Sequence, residues 1–347
     1  EFDVERAIFM TVLHRLVVSG SDRHCDRWRR DYLLPGIENI DLHHLYRAMA
    51  FLGEPLSDSL QDNDPGIRRN KDRIEEMMFQ HNKDLFSGLD LVFFDTTSIY
   101  FEGRGGEYFG NRGFSKDHRP DLHQMVVGAV LDDTGQPICC EMWPGNTTDI
   151  KTLMPVVKRL RHRFGIHRFC IVADRGMISA DTISKLESQS IPYILGTRMR
   201  RVNDVKTEVL TRAGRYKDVR PENADKNKPA PLKVKEVRHN GARYIVCVND
   251  RQVRKDELDR QAIIESLKQQ LKKGPKALVG NKGYRKYLKV QKGSSQIDTD
   301  KVKNEARFDG KWVLTTNTSL PPEQVALKYK ELWRVERVFR DVKSLLD

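Results

Sequence analysis

Two short runs in this sequence are apolar at every position and stop at an aspartate. One is Leu91-Val92-Phe93-Phe94 before Asp95; the other is residues 169–173 before Asp174. Unbroken apolar runs of strand length read as strands buried on both faces, and such strands need helices to cover them. The chain is thereby constrained to a layered α/β architecture. The neighbouring segments agree. Residues 124–131 and 136–142 flank the turn Asp132-Asp133-Thr134-Gly135, a hairpin signal, and Pro144-Gly145-Asn146 closes the second strand. Residues 149–164 read as a helix with Thr148 or Asp149 as N-cap and Gly165 past its end. Residues 179–190 read as another, capped by Ser179, and 191–195 as the next strand. The order strand, strand, strand, helix, strand, helix, strand predicts a mixed sheet flanked by helices.

Residues 1–88 have a different texture. Apolar residues recur at helical spacing over 4–16, 42–51 and 71–79, punctuated by Pro35-Gly36 and Pro65-Gly66. This predicts a helical N-terminal domain that binds DNA or dimerises; no helix-turn-helix signature stands out. Residues 198–311 interrupt the α/β pattern. There, 233–238 and 242–248 straddle Asn240-Gly241, a strong hairpin turn. A helix is expected over 256–273, a strand over 284–292 and a polar loop over 221–231. Residues 312–316 form a last strand, and Pro321-Pro322 opens one long helix to Asp347. The helical pattern is unfinished there, so the chain is expected to be truncated at its C-terminus.

Charge sharpens this division. The 347 residues carry a formal net charge of +12. Residues 198–311 hold 31 Lys+Arg against 15 Asp+Glu, a net of +16, and the remainder nets −4. A basic segment beside an acidic one suits a polyanion such as nucleic acid; a solvated lysine-rich surface would read the same way. Apolar runs such as 125–131 are too short to cross a membrane, and Glu1-Phe2-Asp3 opens no secretory signal, although the missing initiator Met leaves an upstream signal open. Five cysteines without a C-x-x-C argue against a disulfide scaffold or cysteine zinc site and for a reducing compartment. Neither a P-loop nor a dinucleotide glycine fingerprint occurs, so ATP and NAD are not expected on this sheet.

Functional groups in open α/β sheets gather where strands end, which is where Asp95 and Asp174 lie. Aspartate at such a place also caps the next turn. A third carboxylate, Glu336, sits in the last predicted helix, seven residues from both Tyr329 and Lys343 and four before Arg340. On one helix these share a face, beside an apolar stripe of Leu332, Val335, Phe339, Val342 and Leu346. Glu336 is either the partner of Arg340 in an i,i+4 ion pair or a metal ligand. Three carboxylates on two strands and a helix suit Mg²⁺ or Mn²⁺, and two such ions roughly 4 Å apart promote phosphodiester chemistry. His118 and His123 flank Asp121, but that spacing and Pro120 suit a helical metal site poorly.

These residues carry a resemblance over about residues 88–347. The segments are Phe94-Asp95-Thr96-Thr97-Ser98, Phe114-Ser115-Lys116-Asp117, Pro144-Gly145-Asn146-Thr147-Thr148-Asp149, Ala173-Asp174-Arg175-Gly176-Met177, and Tyr329 through Glu336 to Lys343. The chain resembles bacterial insertion-sequence transposases with an RNase H-like DDE catalytic domain, in the family-four-like group. The last segment is similar to that family's Tyr-Arg-Glu-Lys signature, with Leu332 where the signature has Arg. The resemblance implies an RNase H-like mixed sheet interrupted by a mostly β insertion. The divisions are then a helical domain (1–88), the first part of the core (89–197), the basic insertion (198–311), and the last strand with the Glu-bearing helix (312–347). It implies that Asp95, Asp174 and Glu336 are catalytic and bind two Mg²⁺, with Mn²⁺ as a substitute. Tyr329 and Lys343 would contact DNA, with Arg340, Arg175, Lys330, Arg334 and Lys116 as further contacts. Lys330 or Arg334 would replace the signature's Arg. Trp312 and Tyr284 are candidates to stack on a flipped base, against a core role for either.

The function so implied is metal-dependent hydrolysis at transposon ends followed by strand transfer into target DNA. The partners are transposon-end and target DNA and a second copy of the chain, in the bacterial cytoplasm at the nucleoid, with no membrane. The alternatives are an RNase H-like nuclease without strand transfer and a catalytically inactive, transposase-derived DNA-binding protein.

Overall fold

A computed structural model describes residues 2–56, 68–82, 91–103, 106–220, 232–272, 286–291 and 294–346. Tyr284, the expected loop at 221–231 and the expected boundary at residue 88 lie outside the described residues. The chain divides into two compact units, Glu1–Ile191 with Glu331–Asp347, and Pro192–Lys330.

The first unit opens with helices α1 (Val4–Val17), α2 (Asp22–Trp28), α3 (Leu42–Gly53) and α4 (Asn70–His81). Asp3 and Ser21 cap α1 and α2 through hydrogen bonds accepted from Arg6 N and His24 N. Ala7, Met10, Cys25, Leu45 and Ala48 bury the contact among the first three. α2, not expected from the sequence, is a short polar helix whose Cys25 and Trp28 are the buried side chains.

Next comes the sheet. Strands β1 (Leu91–Tyr100), β2 (Gln124–Leu131), β3 (Pro137–Pro144) and β4 (Cys170–Ala173) lie in the order β3-β2-β1-β4. β1 runs antiparallel to β2 and parallel to β4, so the sheet is mixed, as expected. Helices α5 (Leu153–His162) and α6 (Ala180–Ser188) follow β3 and β4. The helix expected from residue 149 opens as a separate 3-10 turn, Asp149–Lys151. Ser179 caps α6 as expected, accepting from Thr182 N. Val92, Phe93, Phe94, Ile171 and Val172 are fully buried, with Leu153, Val156, Val157 and Leu160 of α5. One buried ionic network joins α4 to α5 and β3: Arg159 donates to Asp72 at 2.6 Å and also bonds Glu75 and Glu141.

The second unit orders its main strands β5 (Tyr193–Thr197), β6 (Lys217–Val219), β7 (Leu232–His239), β8 (Ala242–Val248) and β11 (Lys311–Thr316) as β5-β11-β8-β7-β6. Asn240 and Gly241, at φ 48° and 76°, make the expected two-residue turn between β7 and β8. Between β8 and β11 stand α7 (Asp250–Lys272), a two-stranded ribbon of β9 (Leu288–Gln291) and β10 (Ser294–Ile297), and α8 (Thr299–Ala306). The segment expected to be mostly β is therefore mixed: its longest element is the 23-residue α7. Helix α9 (Pro322–Lys330) closes this unit.

The last helix, α10 (Trp333–Leu346), returns to the first unit and packs on β1 and β2. The single helix expected from Pro321 to Asp347 is thus two. The break falls at Glu331-Leu332, without a Gly or Pro to announce it. Arg334 N and Val335 N bond back three residues, to Glu331 O and Leu332 O, in a tight turn. Leu332, 5% exposed, and fully buried Val335 turn into the core there. Among the described residues, no helix is long and apolar enough to cross a membrane.

Candidate active site

The parallel pairing of β1 and β4 sets the site. Leu91 pairs with Cys170 and the register runs to Phe94 opposite Ala173. One residue further on, Asp95 and Asp174 leave the paired segment side by side. Strand neighbours lie about 4.8 Å apart, so the two carboxylates sit where the β1–β4 pairing ends. Against the expectation from its apolar run, β1 itself does not stop at Asp95 but runs on to Tyr100, paired with β2. The buried flanks on both strands make this register hard to slip, because one residue would turn Asp95 to the other face.

Asp95 is half-buried. Burial is the main influence lifting its pKa, to about 6; Asp174 and Asp149 add to the rise, and Lys116 and the Thr96 N–H oppose it. That amide donates to Asp95 Oδ1 at 2.7 Å. A carboxylate lifted by burial and by like charges is one that a divalent cation would hold in its ionised form.

Two residues complete the cluster. Asp149, in the turn after β3, accepts from Thr96 Oγ1 at 2.7 Å and faces Lys116 Nζ at 3.5 Å. Lys116 Nζ also donates to Thr96 O at 2.5 Å and Thr96 Oγ1 at 3.0 Å. Gly176, two residues after Asp174, lets Asp149 in: a Cβ there would stand 2.9 Å from Asp149 Oδ2. The sequence offered Asp149 as a helix cap and as the end of a matching segment, without a role at the site. Its membership needs the fold, which brings the turn after β3 against the turn after β4.

Glu336 lies exposed on α10, beside buried Val335 and Phe339. Thr97 and Ile99, which share a face of β1 with Asp95, border one cavity with Val338, Phe339 and Val342. The helix carrying Glu336 therefore covers the face that carries Asp95. The ion pair with Arg340 is not formed; both side chains are exposed. Asp95, Asp174 and Glu336 do not converge to within 4.8 Å of one another. Among the described residues only Asp41, His43 and His44 do so, and there Asp41 and His44 form a helix cap: Asp41 N donates to His44 Nδ1 at 3.0 Å.

The candidate DNA contacts fall on both units. Lys343 is paired with Asp117 at 2.5 Å. Arg334 donates to Asp133 O at 2.6 Å, so it is tied to the β2–β3 turn. Arg340 and Arg175 are exposed on the first unit. Tyr329, half-buried, and Lys330, exposed, end α9 in the second unit, so Tyr329 and Glu336 lie on different helices. Leu332 is buried and offers nothing to a phosphate. Trp312 is half-buried in β11 opposite Cys247, a packing position.

The family described as "Transposase DDE domain" matches residues 87–347. The chain belongs to this family. The DDE domain thus spans the sheet of the first unit, the whole second unit and α10. No curated protein matches the chain. Among solved structures it is similar to the piggyBac transposase synaptic complex with hairpin DNA, at 11% identity and a TM-score of 0.45. That alignment covers 99% of this chain and 58% of the piggyBac chain, so this chain spans little more than half the length of that transposase. It is also similar to the Mos1 transposase paired-end complex with left transposon end, at 13% identity and a TM-score of 0.23, over 54% of this chain and 57% of that one.

The donor set of the DDE domain fits a hard divalent cation. Asp95 and Asp174 offer oxygen ligands from adjacent strands, and the mutual repulsion of Asp95, Asp174 and Asp149 is what such a cation would relieve.

Proposed function

We propose that this chain is the catalytic part of an insertion-sequence transposase that cuts DNA at the ends of a mobile element and joins them to target DNA. The observation that carries the reading is the parallel register that sets Asp95 beside Asp174. Asp95, Asp174 and Glu336 would hold Mg²⁺, or Mn²⁺ in its place. Bound there, the cations would activate a hydroxyl nucleophile and stabilise the leaving oxygen of a phosphodiester. The chain's own residues orient the reaction. Asp95 is fixed by the Thr96 amide, Lys116 supplies positive charge beside the carboxylates, and α10 brings Glu336 to their side of the sheet. In two successive displacements, water first frees a 3′-hydroxyl at the element's end. That hydroxyl then attacks a target phosphodiester, and no covalent enzyme intermediate is needed.

The +16 segment at 198–311 would bind the phosphate backbone. The motif segments favour a bacterial family-four-like element, with the chain acting as a dimer on paired ends at the nucleoid. The test is Asp95→Asn on end-containing DNA with Mg²⁺, with binding and 3′-end joining measured separately. Lost cleavage with retained binding supports the assignment; unchanged cleavage sinks it. Cutting without joining by the unaltered protein would make it a nuclease.

A further inference from the structure

The resemblance offers Lys116 only as a DNA contact and does not account for its pairing with Asp149. Lys116 Nζ touches Thr96 O, Thr96 Oγ1 and Asp149 Oδ2, and of the charged groups around Asp95 it is the one that opposes the effect of burial most strongly. It is half-buried, and its backbone is pinned by a bond from Lys116 N to Ser98 Oγ at 2.9 Å. The neighbouring turn is fixed as well: buried Ser115 Oγ accepts from Asp117 N and Arg119 N. An ammonium so held beside Asp149 and Asp95 occupies ground that a cation would claim. Asp149 is positioned rather than merely near, since Thr96 fixes one of its oxygens and Gly176 makes room for the other.

We propose that Lys116 is the built-in counter-ion of this site, which a divalent cation displaces, and that Asp149 is the positioning residue that holds the ammonium and receives it on displacement. The proposal rests on the reading of Asp95 and Asp174 as cation ligands. It makes the two neutral variants differ in sign. Removing the ammonium takes away a competitor, so Lys116→Gln binds cations more tightly. Removing the Asp149 charge leaves the ammonium without its other partner, so Asp149→Asn binds them more weakly, by about ten- to a hundredfold as for other groups that support metal ligands. A purely structural role would weaken binding in both.

The probe is Mn²⁺ alone, titrated into the full chain by calorimetry and followed by its electron paramagnetic resonance, with far-ultraviolet circular dichroism confirming that each variant is folded. The expected result is a Kd lowered several-fold in Lys116→Gln and raised in Asp149→Asn. Lys116→Arg, which keeps the charge, should restore a Kd near that of the unaltered protein. A Kd unchanged or raised in Lys116→Gln overturns the proposal. Asp95→Asn separates the two readings. If it leaves Mn²⁺ binding intact, the site assignment itself has failed. If it abolishes binding while Lys116→Gln changes nothing, only the counter-ion role has failed.

Discussion

Arg159, 7% exposed, donates Nη2 to Asp72 at 2.6 Å and so fastens helix α5 to the N-terminal helix α4. The same guanidinium bonds Glu75 and Glu141, so one cation on α5 serves three carboxylates, two on helix α4 and one on strand β3. Removing one member of a buried network leaves uncompensated charge and costs about 3–5 kcal/mol. Arg159→Met should lower the melting temperature by roughly 10 °C for a unit of this size. Thermal unfolding checks this; a shift of a degree or two would show the network to be replaceable.

Asp95 makes stability depend on pH. Its folded pKa, about 6, lies above its unfolded value, so the protonated form is favoured by folding. That contribution is fully present below the unfolded value and is lost as pH rises through about 6. Without cations, Asp95→Asn should therefore stabilise the protein at pH 8 by up to about 3 kcal/mol and change little near pH 4. Denaturant unfolding at the two pH values measures the difference. Mn²⁺ should stabilise the unaltered protein and do less for the variant.

Gly128 in β2 lies opposite Thr96 in β1, and a Cβ there would stand 2.8 Å from both Phe94 and Trp143. Gly128→Ala should cost about 1–3 kcal/mol through overpacking. The loss should appear in the unfolding midpoint with the circular dichroism of the folded state unchanged. A neutral result would mean that the aromatic pair can part at no cost.

The basic segment should bind DNA through phosphates. Arg254 and Lys255 are exposed on α7 and form no ion pair among the described residues. Reversing both to Glu should weaken DNA binding and reduce the slope of log affinity against log salt by about one for each phosphate no longer neutralised. Fluorescence anisotropy at several salt concentrations gives the slope. An unchanged slope would make this face of α7 a solvated surface only.

Much of this is legible in the sequence because it rests on local signals. Apolar runs mark β1 and β4, Asn240-Gly241 marks its hairpin, and Ser179 marks the start of α6. The apolar runs that stop at an aspartate point to Asp95 and Asp174 from the sequence alone, although β1 continues past Asp95 to Tyr100. The break between α9 and α10 is not legible, since burial of Leu332 and Val335 imposes it and the local sequence favours helix. That break puts Tyr329 and Glu336 on two helices, where the heptad spacing reads as one. Asp149 escapes for a related reason: its role depends on the packing of one turn on another, and in sequence it looks like any capping residue.

Phe94 is the last residue of β1 with a partner in β4, and the next peptide groups must find other company. The Thr96 amide finds the Asp95 carboxylate and the Thr96 carbonyl finds the Lys116 ammonium. The acid and the base thus stand in for a missing strand, shielding an edge that would otherwise invite another chain to pair with it. A variant neutralised at Asp95 or Lys116 is consequently not an inert reference. Neutralising either residue also unseals the sheet, so self-association should be monitored by light scattering whenever these positions are changed.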